Sequence, residues 1–113
     1  MVEIVKEQKI LCVANSYLQK YYLNPLYEAL PQQIKDEIKS MCVIYVEDVG
    51  GILTLCFNED AELEFQVQNE ETDYLFDEIG SVLKIKQLQQ TKRELLESLE
   101  LYYRVVVLQE ELC

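Results

Sequence analysis

Two stretches of this sequence set reactive residue types in the same order. "EDVGG" at 47–51 and "DEIGS" at 77–81 each place two acids before an aliphatic residue and a glycine. If the two segments lie side by side, Glu47, Asp48, Asp77 and Glu78 converge as four carboxylates. Oxygen donors alone suit hard cations such as Mg²⁺, Ca²⁺ or Mn²⁺, not metals that want nitrogen or sulfur. The spacing does not follow an EF-hand loop, and paired acids are a weak signature. The competing reading is local. Glu47 and Asp48 close a helix, where the dipole disfavours acids by roughly a few tenths of a kcal/mol. The expectation is therefore helix-end carboxylates, with the cation site as the alternative.

Other chemistries are poorly supplied. The chain has no histidine, so the commonest nitrogen ligand and every histidine-dependent triad are missing. Four cysteines stand at 12, 42, 56 and 113 without a C-x-x-C pair. Cys12 and Cys42 fall among apolar positions, as small hydrophobes do. A disulfide framework is not expected in a reducing compartment, and Cys113, near the end, is expected to be the easiest thiol to modify. The "VGG" pair lacks the lysine and hydroxyl residue of a P-loop. A sugar cleft worked by paired carboxylates needs a larger scaffold than 113 residues build. The chain reads as non-enzymatic, with no catalytic residue and no cofactor.

Charge says more about partners. The net charge is −11, and one segment carries all of it. Between Lys39 and Lys84 there are eleven acids and no basic residue, while the other ten acids match the ten lysines and arginines. Nucleic-acid phosphate and anionic membranes would be repelled by this segment. A solvated face that keeps the protein soluble is the plain reading. The sharper one is a docking face for a basic protein partner. "MVEIVKEQKI" mixes charge signs before a short apolar run, which fits neither a signal peptide nor a membrane span, so a cytoplasmic location is expected.

The elements that would position these residues make a single small α+β domain over 1–113. Leu11, Ala14, Leu18, Tyr21 and Tyr22 recur at helical steps, and Asn24-Pro25 supplies a stop. The tyrosine-rich "YLQKYYL" at 17–23 offers the alternative of a strand extending the sheet. Pro31 opens a second helix, with Ile34, Ile38, Met41, Cys42 and Tyr45 on one face and Gly50-Gly51 behind it. The strand-like "VIYV" at 43–46 leaves the end of that helix open. Tyr17, Tyr21 and part of Tyr22 are read as core, with an exposed patch at Tyr22 and Tyr27 as the alternative.

The hairpin that follows can be registered. Pairing Asn58 with Glu62 around Glu59-Asp60-Ala61 sets Phe57 against Leu63, Leu55 against Phe65 and Leu53 against Val67. One face is then wholly apolar, and the other collects Thr54, Cys56, Glu64 and Gln66. A loop with one residue fewer, or one more, mixes the two sets. The cost is a left-handed residue at Ala61, where glycine is more comfortable. From Thr72 or Asn69 as cap, a third helical segment runs to Val106, with Gly80 as a kink or a close-approach point. "VVVL" at 105–108 could leave it as a strand.

Together "KYYLNP", "LPQQIKDEIK", "MCVIYVEDVGGILTL", "DEIGSVLKIKQLQ" and "ELLESLELYYRV" resemble an uncharacterised family of short acidic bacterial proteins, a domain of unknown function. The resemblance spans almost the whole chain, with "EDVGGILTL" its most specific element. It implies glycine at the position of Ala61. It implies no activity, cofactor or catalytic residue.

Two function classes follow: a non-enzymatic interaction module that self-associates, or a cation-dependent activity or sensor at the four acids. The third segment carries the homodimer expectation. As one helix over 73–108 it would span about 54 Å, against a compact domain about 35 Å across. The overhang would expose Leu95, Leu96, Leu99, Tyr102, Tyr103 and Val106 as an apolar stripe for a second chain to cover. The competing outcome is that the first segment covers the stripe within one chain.

Overall fold

The computed structural model describes residues 9–108. Cys113 and most of the N-terminal run read above lie outside them. The architecture is α+β, a four-stranded antiparallel sheet in the order β2-β1-β3-β4.

The first apolar segment is not a helix. It forms β1, Ile10–Asn15, and β2, Lys20–Leu23, an antiparallel pair with Asn15 opposite Lys20 and Cys12 opposite Leu23. The strand alternative at 17–23 holds for Lys20–Leu23, while residues 16–19 form the turn and β1 is a further strand. Asn15 explains the turn: its side-chain oxygen accepts from the Tyr17 and Leu18 amides at 2.9 and 3.1 Å, a local bond that competes with helix. Strand-favouring Ile10, Val13, Tyr21 and Tyr22 then decide the rest. A register shift between Ile10 and Cys12 accounts for Leu11 and Cys12 both being buried. Asn24 starts a 3₁₀ turn, Pro25–Tyr27, instead of ending a helix; its φ of −60° is not left-handed, and its side chain bonds Ile10 O and Leu26 N. Tyr27 is fully buried and Tyr22 is exposed, so they form no common patch.

Helix α1, Gln32–Val49, follows Pro31, which sits at its cap, and "VIYV" belongs to it. Ile38, Met41, Cys42, Tyr45, Val46 and Val49 are its buried side. Gly50 and Gly51, both at positive φ, turn the chain into β3, Ile52–Phe57, which pairs with β4, Leu63–Gln68. The register is the expected one: Phe57 with Leu63, Leu55 with Phe65, Leu53 with Val67. Asn58 N donates to Glu62 O at 2.8 Å, and Ala61 holds φ 63°.

The long third segment is broken and starts later. Asp77, not Thr72 or Asn69, caps α2, Glu78–Thr91, by accepting from Gly80 N at 2.8 Å. Gly80 therefore serves the cap and kinks nothing, and a Cβ there would run into the Asp77 carboxylate. A second helix, α3, Arg93–Tyr102, follows after Lys92, whose φ of −109° leaves the helical range. Thr91 Oγ1 donates to Gln87 O at 3.0 Å, the back-bond by which a hydroxyl bends a helix. A π-type turn, Tyr103–Val107, stands where a strand was the alternative. The longest dimension of the molecule is 47 Å, short of the straight helix.

The bend brings α3 back onto the sheet. Leu95, Leu96, Leu99, Tyr103 and Val107 are buried with Leu53, Leu55 and Phe57 in one core. The Phe57 and Tyr103 rings stack at 4.1 Å between centroids and 3° between planes. No helix of the described residues is long and apolar enough to cross a membrane.

Candidate functional site

The C-terminal stripe offers no free face of the kind the dimer argument needs. Leu95, Leu96, Leu99 and Tyr103 are used by the chain's own core, and Tyr102 packs at its edge. Val106 is half-buried. The cover includes the sheet, with Phe57 against Tyr103 and Tyr27 beside Tyr102, and is not the first segment as a helix.

The two acid pairs come close without converging. Asp77 N lies 3.4 Å from Val49 O, so "EDVGG" and "DEIGS" are neighbours. Each acid has its own surroundings, however. Asp48 pairs with Lys84 across α1 and α2 at 3.1 Å, and Asp77 is the α2 cap. Glu47 and Glu78 are exposed. Among the described residues no group of three or more acids or cysteines is placed to hold a metal ion. The glycine pair has a packing reason. A Cβ on Gly51 would come within 2.7 Å of Gln68 O and 2.9 Å of the Phe76 ring. Only glycine lets Phe76 seat there with φ at 79°.

Phe76 anchors one end of a segment that Tyr17 anchors at the other. The Tyr17 hydroxyl donates to Asp73 Oδ2 at 2.6 Å and accepts from Glu70 N at 3.0 Å. Lost solvation first, then the Asp73 carboxylate, raises the Tyr17 pKa, so the phenol stays a donor. Asp73 Oδ1 also accepts from Leu75 N at 3.1 Å. Between these anchors the chain holds Tyr74 and Leu75 outward, 91% and 94% exposed. The apolar run continues along the outer side of α2 through Ile79, Val82 and Leu83, all exposed. The inner side of α2 carries Ser81 and Leu88, with the Ser81 hydroxyl bonded to that of Tyr45.

The result is an apolar ridge over 74–83 beside Glu70, Glu71 and Glu78, whose carboxylates form no ion pair among the described residues. Single apolar residues scattered over a surface are ordinary, whereas Ile79, Val82 and Leu83 follow one another at three- and four-residue steps along one exposed side of α2. Sequence reasoning merged these residues into the buried stripe. The signal that separates them is that α2 is apolar on both sides, at Ile79, Val82 and Leu83 and at Ile85 and Leu88.

Cys12 and Cys42 take structural places. Cys12 and Cys42 are fully buried, their sulfurs 3.7 Å apart, and the neighbouring thiol and burial raise the Cys42 pKa.

Fold and surface thus define a small α+β domain with a solvent-facing apolar ridge and no gathered catalytic set among the described residues. The chain belongs to a family of unknown function, DUF6145, whose model matches residues 8–111. Comparison with the curated proteins and with the solved structures gave no match.

Proposed function

We propose that this domain is a non-enzymatic interaction module, and that its ridge over 74–83 docks a basic, amphipathic segment of a different protein. One observation carries the reading: Tyr74 and Leu75 stand almost fully exposed on an anchored, hydrogen-bonded segment, with Ile79 largely exposed beside them on α2. Ordering the backbone of this segment costs entropy, and water disfavours the apolar area it presents at about 25 cal/mol per Å². The partner's charge follows from the rim. Glu70, Glu71 and Glu78 would face their own copies across a self-association through this ridge, whereas lysines and arginines would complement them. Leu95, Leu96, Leu99 and Tyr103 lie in the chain's own core, which takes away the support for a homodimer through residues 95–106 and favours a different chain at the ridge.

A fluorescent amphipathic helical peptide of leucine and lysine tests this by anisotropy. Micromolar binding that weakens with salt and is abolished by Leu75→Ser with Ile79→Ser is expected. Binding indifferent to that pair of changes overturns the reading. Light scattering after size exclusion adds the oligomeric state, where a monomer is expected. A dimer that Ile79→Glu splits would assign the ridge to a second copy.

A further inference from the structure

Two thiols from distant parts of the chain meet inside the core. Cys12 stands on β1 and Cys42 on α1, 30 residues apart in sequence, and both are free and fully buried. A disulfide closes at about 2.05 Å, so from 3.7 Å the sulfurs need to approach by roughly 1.7 Å. Turning each side chain by about 30° about χ1 is enough to cover that distance. Their seats are firm: β1 is an inner strand between β2 and β3, and Cys42 lies beside Met41 on the buried side of α1. Cys56 cannot take the place of either. It stands opposite Glu64, and its neighbours Leu55 and Phe57 face the core, so it lies on the other face of the sheet.

A route to the pair runs past Tyr21. This residue lines a cleft between the β1–β2 hairpin and α1. Its hydroxyl is buried beside the two thiols, and no hydrogen bond of normal length satisfies it. The register explains the meeting, because Tyr21 is opposite Ala14 on the strand face that Cys12 shares. One ring thus reaches from an open cleft to the sulfurs. A phenol with no bond at its tip gives up little when it moves aside. At rest the pair is inert: the contact with Cys12, then burial, raises the Cys42 pKa and keeps that sulfur a thiol.

We propose that Cys12 and Cys42 are a reversible oxidation site, closed to a disulfide by hydrogen peroxide small enough to pass Tyr21, that staples β1 to α1. The balance runs in two steps. One sulfur takes an oxygen as the peroxide O–O bond breaks, giving a sulfenic acid and releasing water. The second thiol attacks that sulfur, the S–S bond forms, the S–O bond breaks, and the hydroxyl leaves as water with the thiol proton. Two thiols lose two electrons and two protons, and the peroxide ends as two waters. A dithiol reductant reverses the bond by exchange. The inference does not rest on the docking role of the ridge.

The full chain carrying Cys56→Ser and Cys113→Ser, treated with hydrogen peroxide while folded, tests it. Intact mass should fall by about 2 Da, the two thiol hydrogens, and dithiothreitol should restore it. Peptide mapping should join Cys12 to Cys42. The bonded form should have a urea midpoint higher by about 1 M, because the bond closes a long loop. The wild-type chain, alkylated while folded and then oxidised, should give the same bond, so the result does not hang on the serines. A mass that gains oxygen instead, thiols that react only once urea has unfolded the chain, or a lowered midpoint in the bonded form would each overturn the proposal.

Discussion

Helices α2 and α3 are neighbours in the chain with similar apolar content and opposite fates. In α3, Leu95, Leu96 and Leu99 point into the core. In α2, Ile79, Val82 and Leu83 face solvent, and only Ser81 and Leu88 are buried. The difference is one of partners, not of hydrophobicity. The sheet offers α3 an apolar face through Leu55, Phe57 and Leu63, and Leu63 N donates to the Glu100 carboxylate at 2.8 Å. Helix α2 packs by one side only, through Ser81, Ile85 and Leu88, with the Lys84–Asp48 bridge to α1 beside them. That contact is too narrow to use both sides of a helix. Apolar residues left over after a core is complete are where a small domain can carry function.

The packed side should fail first at alkaline pH. Burial is the first cause of the raised pKa of Tyr21, Tyr27 and Tyr45, each above the ordinary 10.0. A phenol held neutral stabilises the fold fully below pH 10 and loses that contribution as pH rises through the raised folded value. Circular dichroism should show stability unchanged by these groups near neutrality and falling above about pH 10. A flat profile to pH 12 would mean the three rings are less buried than the core requires.

Single truncations should then separate the two helices. Leu99→Ala is expected to cost about 2–5 kcal/mol in urea melts, and Leu75→Ala to stay within about 0.5 kcal/mol. Equal costs would break the contrast. Gly51→Ala should cost about 2–4 kcal/mol, from positive φ and from the displaced Phe76 ring. Hydrogen exchange should show residues 70–78 loosening in that variant, and protection there unchanged would detach the ridge from its anchor. The smallest effect is a gain. Ala61→Gly should stabilise by about 0.5–1 kcal/mol by removing the left-handed Cβ, partly offset by the loss of a buried methyl. A lowered midpoint would show the methyl outweighs the strain.

The β3–β4 hairpin was legible to the residue because alternation has a period of two. One wrong residue in the loop would expose Leu53, Leu55 and Phe57, so a single register survives, Ala61 included. Helix α1 was legible for a similar reason, an apolar face bounded by Pro31 and Gly50. The first segment was not. Leu11, Ala14 and Leu18 fit helical steps, and a few coincident spacings cannot outweigh the Asn15 turn and a strand partner in β3 that is distant in sequence.

The candidate sites divide the same way. Sequence alone located the acidic segment and the special glycines, because charge and missing side chains are properties of residues. It could not say that Asp77 N would meet Val49 O while Asp48 turned to Lys84, since both depend on how two helices dock. Nor could it tell which part of one apolar stripe, from Leu75 to Val106, would be covered. Hydrophobicity is written in the chain, but burial is a relation between surfaces, and the bend after Thr91 decided which half met the sheet.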